Sequence, residues 1–276
     1  MAEVTAAAVK ALRDKTDLPM MDCKSALVEA DGNEEKAIEI LREAFKKIQL
    51  KRADNATEEG RVFIKSNDNQ AAMLEIQCES APVATGEVFG EFGDMLVTQL
   101  LEGPGADTPE GLMGQNCPGS DSTIQSAYEE LVNKIREKIV VKSVTRVDGP
   151  VGTYVHHDMK TGVLFQATGE GGETDVLRDV AMHIAALRPS VTAVEDLDQA
   201  AIDGERTRLS DEAKATGKPE NIIEKIVDGR MKTYYVEQGV LVMQPFAKDD
   251  SKTVSQALAE KGFEAKTFTR VAIGGA

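Results

Sequence analysis

Apolar positions over residues 1–52 recur at helical spacing and are interrupted twice. Val4, Ala8, Ala11 and Leu12 lie on one helical stripe. Thr16-Asp17-Leu18-Pro19 ends it, because proline lacks an N–H and restricts the residue before it. Met21, Ala26, Leu27 and Ala30 mark a second helix, stopped at Asp31-Gly32, where Gly32 suits the left-handed position after a helix. Asn33 is a natural cap for a third helix, with Glu34 and Glu35 complementing its dipole. Its stripe is Ala37, Ile38, Leu41, Ala44, Phe45 and Ile48. The pattern therefore predicts a three-helix module over 1–52, then a charged linker from Lys46 to Glu59.

Beyond it the period shifts. Arg61–Lys65 and Ala71–Gln77 flank Ser66-Asn-Asp-Asn69, a hairpin signal. Val88, Phe89, Phe92, Leu96, Val97 and Leu100 read as a helix, 102–121 as a Gly/Pro-rich loop, 123–138 as a helix and Lys138–Val147 as a strand. A second round follows. Gly152–His156 and Thr161–Ala167 flank a turn. Acidic Gly169-Glu-Gly-Gly-Glu173 comes next, then a helix carrying Val176, Leu177, Val180, Met182, Ile184 and Leu187. The expectation is a duplicated α+β unit in which helices pack on small antiparallel sheets, with subdomains 57–147 and 148–276. Residues 195–232 are charged, with sparse apolar positions at Leu197, Ala201, Leu209, Ala213, Ile222, Ile223, Ile226 and Val227, divided by Gly217-Lys218-Pro219. They predict an antiparallel helical hairpin inserted in the second subdomain, and both a projecting hairpin and one packed flat on the body fit the pattern. Tyr234–Phe246 and Ala265–Ile273 read as strands.

Charge and composition narrow the function. The formal net charge is −15, against the basic footprint that nucleic-acid binding or an anionic membrane surface requires. Cys23, Cys78 and Cys117 are odd in number, with no CxxC pair, which fits a reducing compartment. The N-terminus has no long apolar segment of the signal-peptide kind, and no apolar stretch approaches the ~20 residues of a membrane span; the expectation is a cytoplasmic protein. There is no GxxxxGK[ST] loop, and the acids of Gly169–Glu173 would repel phosphate. His156, His157 and His183 are not at metal-ligand spacing, and adjacent His156 and His157 are expected on opposite faces of a strand. No catalytic, cofactor or metal constellation emerges. The pattern sets no oligomeric state.

Two blocks point to a family. Leu12-Arg-Asp-Lys-Thr16 followed by Met20-Met-Asp-Cys-Lys-Ser-Ala-Leu27 resembles the N-terminal signature of elongation factor Ts. Gly217-Lys-Pro219, Ile223-Glu-Lys-Ile-Val-Asp-Gly-Arg230, Gln244-Pro-Phe246 and Thr253-Val254 agree in order, so the likeness runs across nearly the whole chain. It implies a ubiquitin-associated-like (UBA-like) head, two α+β halves and a protruding antiparallel coiled coil. It implies a non-enzymatic guanine-nucleotide exchange factor that binds elongation factor Tu carrying GDP and speeds GDP release. The resemblance places Met20, Met21, Asp22 and Lys24 at the contact with the GTPase; core packing for the methionines and a solvated Lys24 are the alternatives. Ile135-Arg136 falls in a contact that relatives write Lys-Ile-Gly-Glu, with arginine here in place of glycine. His156 matches a partner-contacting histidine, although His157 and a longer turn follow it here.

The largest departure follows Glu75-Ile-Gln-Cys-Glu79. Relatives continue Thr-Asp-Phe-Val, whose Asp-Phe pair intrudes near the GTPase's magnesium site; this chain reads Ser80-Ala81-Pro82-Val83. A lost phenylalanine contact is worth roughly 1.5–3 kcal/mol. Three readings follow: a partner with a matching pocket, exchange resting on the other patches, or a Tu-binding scaffold with weakened exchange.

Overall fold

The structure, a computed structural model, describes residues 4–16, 18–172 and 174–274, without the side chains of Phe45, Ile48 and Gln49. Asp17 and Glu173, and the Phe45 and Ile48 side chains of the expected stripe, therefore lie outside the described residues. Helices α1 (Ala6–Thr16), α2 (Met20–Glu29) and α3 (Glu34–Arg52) close around Val9, Leu12, Leu18, Cys23, Ala26, Leu27, Ala37 and Leu41. Asn33 caps α3 by accepting the Lys36 N–H at 2.9 Å. The left-handed position after α2 is taken by Asp31 (φ 53°), with Gly32 (φ 84°) one residue later; their N–H groups donate back to the Val28 and Leu27 carbonyls. The helix stops at Asp31-Gly32 as expected and Gly32 is left-handed, but the first residue after the cap is Asp31. The expected linker from Lys46 is also corrected, because α3 runs on to Arg52. Lysine, leucine and arginine are good helix formers, and Lys51 and Arg52 suit the negative end of the dipole.

Strands β1 (Glu59–Ser66) and β2 (Gln70–Cys78) form the first hairpin. Its turn is held by Asn67 Oδ1, which accepts the N–H groups of Asn69 and Gln70. Helices α4 (Ala81–Ala84), α5 (Glu87–Glu102), α6 (Pro109–Met113) and α7 (Ile124–Ile135) follow, and β3 (Ile139–Asp148) returns beside β2. The short α6 lies within the expected loop, capped by Thr108. Phe63, Leu74 and Ile76 of the sheet pack on Phe89, Phe92 and Leu96 of α5 and Leu131 of α7. The approach is close at Gly93, where a Cβ would lie 2.1 Å from the Phe63 ring.

The second half repeats the order. Strands β4 (Val151–Val155) and β5 (Thr161–Gly169) precede α8 (Asp175–Leu187), and the last strand of the chain pairs with β5. Between them come α9 (Gln199–Lys214), α10 (Glu220–Glu237), the short pair β6 (Pro245–Phe246) and β7 (Asp249–Thr253), α11 (Val254–Ala259) and finally β8 (Phe263–Ala272). Each three-stranded sheet has a bulge in the strand that returns last beside the middle one, Lys142 of β3 opposite Glu75/Ile76 and Lys266 of β8 opposite Gln166/Ala167. The sheets turn one face to their own helices and the other to each other. Alternate residues divide accordingly: Val163, Phe165 and Ala167 join the helix-side core, while Val62, Ala71, Met73, Leu164 and Ile273 form a cluster between the sheets.

Helices α9 and α10 bury Ile202, Leu209, Ala213, Ile223, Val227 and Met231 against one another. The seam uses Ile202 rather than Ala201, and Ile222 is exposed. It closes within the hairpin, with Val194, Leu197, Ile226, Tyr234 and Tyr235 along its edge. Tyr234 and Tyr235, expected in a strand, extend α10 because they continue this seam, and packing overrides their strand propensity. Only Pro245–Phe246 of the Tyr234–Phe246 segment is strand.

Candidate functional site

Helix α2 has two stripes. Cys23, Ala26 and Leu27 face the head's interior. Met20 (50% exposed), Met21 (67%), Lys24 and Val28 face outward. The methionines therefore are not core residues of this chain. Val28 joins this apolar face, although it was not singled out from the sequence; the same helical period places it one turn after Lys24.

Asp22 sits at the margin of this stripe and forms an ion pair with Arg136 at the end of α7. Arg136 is the C-cap of α7 in the left-handed conformation (φ 60°, ψ 29°), the backbone that glycine adopts freely. The arginine therefore keeps the glycine-like turn and adds a side chain that reaches the head. A cleft of about 280 Å³ lies beneath the pair, lined by Leu18, Ser25, Glu29, Leu41, Lys47 and Asn133. Ile135 is partly buried against the first core.

The Ser80–Val83 segment begins α4. Ala81 and Pro82 are exposed, and Val83 packs against the core. Pro82, in the first turn of the helix, has no N–H to leave unsatisfied there. Ser80 does not cap this helix through its side chain. Its N–H and Oγ–H both donate to the Glu137 carboxylate, at 3.1 and 2.6 Å. The next residue, Lys138, donates its N–H to Glu79 at 2.5 Å and its ammonium to the Ala53 and Asn55 carbonyls. Glu79 also receives Arg52 at 2.9 and 2.7 Å and Asn55 at 2.7 Å. Burial alone would raise the Glu79 carboxyl, but the Lys138 N–H, Arg52 and Asn55 hold it below the usual carboxylate range. Asp22, Ser80, Ile135 and Arg136 are thus drawn together around the α7–β3 turn. Glu137 and Lys138 do the joining; the sequence signal for them was only the Lys-Ile-Gly-Glu likeness.

His156 stands on a different turn. Strand β4 ends at Val155, so His156 and His157 lie in the β4–β5 connection and do not alternate across a strand; their ring centroids are 4.2 Å apart. His156 Nδ1 is hydrogen-bonded to the Tyr154 hydroxyl at 2.9 Å. The turn is tied to the first half, because the Met159 carbonyl accepts the Val62 N–H and Lys160 pairs with Glu59 at 2.7 Å. Glu59 in turn pairs across the sheet with Cys78, two residues before Ser80.

Among the described residues, no three His, Cys, Asp or Glu groups are placed to hold a metal ion, and no helix is long and apolar enough to cross a membrane. Burial pushes the Cys78 thiol up to about 11, so it is not a ready thiolate. His183 is buried, with Nδ1 accepting the Ala247 N–H at 3.1 Å and Nε2 facing Gln244 Oε1 at 2.9 Å. Its ring also meets Phe246. The Gln244-Pro-Phe246 block therefore serves the interior of the second half.

The chain is similar to known proteins along its length. The family model described as Elongation factor TS matches residues 79–275. Similar proteins include the elongation factor Ts of Paenarthrobacter aurescens, 40% identical over 99% of this chain and 100% of its own length. Those of Idiomarina loihiensis (38%, over 98% of this chain and 91% of its own) and Hyphomonas neptunium (36%, 99% and 93%) are similar too. A family match over most of the chain, with relatives aligned nearly end to end, leads to one conclusion: this chain belongs to the elongation factor Ts family.

Proposed function

We propose that this chain is a guanine-nucleotide exchange factor in translation elongation, which binds elongation factor Tu carrying GDP and promotes GDP release so that GTP can load. One observation carries the reading from the structure: the exposed Met20–Met21–Val28 face, Arg136 and the exposed Ala81–Pro82 turn are joined around a single hydrogen-bonded junction. It forms no covalent intermediate and needs no cofactor or metal of its own. Its grip on the GTPase weakens the grip on nucleotide, and by linkage the nucleotide weakens the chain's grip equally. A nanomolar nucleotide is held by about 12 kcal/mol, so displacement draws on several patches at once. Met20, Met21, Asp22 and Lys24 form the first patch, Ser80–Val83 with Ile135 and Arg136 the second, and His156 the third.

In this reading 1–52 is a UBA-like head, 57–147 and 148–276 are the two core subdomains, and 195–232 is an antiparallel coiled coil. Separate buried clusters in the head, in each half and within the helical hairpin support the division. The protein acts in the cytoplasm, away from nucleic acid and membranes, in keeping with its charge of −15.

Ser80-Ala81-Pro82 favours a second reading, a Tu-binding scaffold with weakened exchange, because it has neither the carboxylate nor the aromatic ring that relatives carry. Stopped-flow release of a fluorescent GDP from the cognate Tu, with and without this chain, separates the two. Accelerated release is the expected result. A stable complex without acceleration favours the scaffold.

A further inference from the structure

We infer that Glu137 is a positioning residue: it sets the attitude of the Ser80–Ala84 turn toward the partner. With Arg136 and Lys138 it also makes that turn and the N-terminal head a single rigid surface. This rests on the exchange reading above. The left-handed backbone at Arg136 ends α7 abruptly, and the three side chains from Arg136 to Lys138 diverge to three elements. Arg136 reaches Asp22 of the head, Glu137 takes both donors of Ser80, and Lys138 holds the carbonyls of Ala53 and Asn55 in the head–core connection.

Ser80 takes this role in place of capping its helix. A serine at a helix N-cap normally accepts an N–H from the second or third helical residue. Here the second is Pro82, which has no N–H to offer; the third, Val83, has one, but no side-chain cap forms. The hydroxyl turns instead to Glu137 at 2.6 Å, a charge-assisted bond. The exposed Ala81 and Pro82 are thus anchored on one side by Ser80 and on the other by Val83 and Ala84 in the core. Without Glu137 the Ser80 side loses its carboxylate anchor, while the apolar packing of Val83 and Ala84 remains.

The test uses the full chain with Tu and fluorescent GDP, reading the maximal release rate and the half-saturating concentration separately. Glu137→Ala is expected to lower the maximal rate about tenfold, the worth of about one charge-assisted hydrogen bond, and to move half-saturation much less. Ser80→Ala, which keeps the backbone N–H bond to Glu137, should lower the rate less, Ser80→Thr should restore it, and the double variant should be no worse than Glu137→Ala alone. A purely structural role would lower the melting temperature and move both parameters together; Glu137→Gln, which keeps one acceptor, covers the case in which the alanine variant folds poorly. A wild-type maximal rate in Glu137→Ala, or single effects that multiply in the double variant, overturns the inference. If the wild-type chain binds Tu but does not speed release, the exchange reading fails instead. Amide hydrogen exchange at Ser80 in the free chain then decides the positioning: protection lost in Glu137→Ala upholds it, and unchanged protection overturns it.

Discussion

Arg136 gives the sharpest test of the physical reasoning. It occupies a left-handed backbone position as an L residue, which costs roughly 1–2 kcal/mol relative to glycine. Its compensation is the ion pair with Asp22, whose side chains are 53% and 34% exposed. A pair that open to solvent contributes about 0.2–1 kcal/mol. Arg136→Gly therefore removes strain of about 1–2 kcal/mol, loses at most about 1 kcal/mol of pairing, and adds about 0.4–1 kcal/mol of chain entropy to the unfolded state. These nearly cancel. Arg136→Ala keeps the strain and loses the pair. The expected order of melting temperature is therefore glycine variant close to wild type, with the alanine variant below both. The gap is about 2–4 °C per kcal/mol for a chain of this size. Thermal unfolding followed by circular dichroism measures it, and Asp22→Ala isolates the pair, whose contribution should shrink with added salt. An alanine variant that melts with or above the glycine variant would falsify the claim that backbone strain sits at this turn. If Asp22→Ala costs much more than about 1 kcal/mol, the pair is stronger than its exposure allows.

Other consequences are as specific. Burial lowers the His183 pKa, with Gln244 only partly opposing it, so the unfolded chain binds this proton first as pH falls. Its contribution to stability is present in full above about pH 6.5 and is lost as pH falls from there through the depressed folded value. His183→Gln, which keeps a donor and an acceptor but does not titrate, should show a shallower loss of melting temperature between about pH 7.5 and 5.5; parallel curves would remove His183 as the cause. Met21→Glu should leave the melting temperature unchanged, because Met21 is exposed, yet weaken the complex with Tu about tenfold, readable by titration calorimetry. Unchanged affinity would take this helix face out of the interface. Ala81→Asp combined with Pro82→Phe should fold normally and change the GDP release rate about tenfold in one direction or the other, upward if those contacts are merely missing and downward if the partner's pocket has been reshaped. No change would place the turn away from the nucleotide.

Much of the fold was legible because its signals are local. The Asn33 cap, the break at Pro19, the Asn67 turn and the α5 stripe each depend on residues within a turn or two along the chain. Errors arose where distant contacts outweighed a local tendency. Tyr234 and Tyr235 became helical because the hairpin seam continues through them; the run after Lys46 is a local case misjudged, since its good helix formers carry α3 through Arg52. His156 and His157 lost strand alternation because β4 closes one residue earlier to form its turn.

The candidate site divides along the same line. The sequence alone placed Met20-Met-Asp-Cys-Lys24 on one helix, and its resemblance to the family implied that Ser80-Ala81-Pro82 replaces a carboxylate and a ring and that an arginine stands where relatives have glycine. Which side of α2 faces outward, with Met20 and Met21 exposed and Cys23 buried, was decided by the packing of the head. Only the tertiary structure decided that the two sheets stack face to face, so that the apolar runs of β2 and β5 are divided between helix-facing and sheet-facing clusters. Only it brought Asp22, Ser80 and Glu79 to three consecutive residues at the end of α7. No periodicity encodes that meeting. It depends on a reversal at one left-handed residue and on the return of β3 beside β2, contacts between residues far apart in the chain that exist only once both cores have formed.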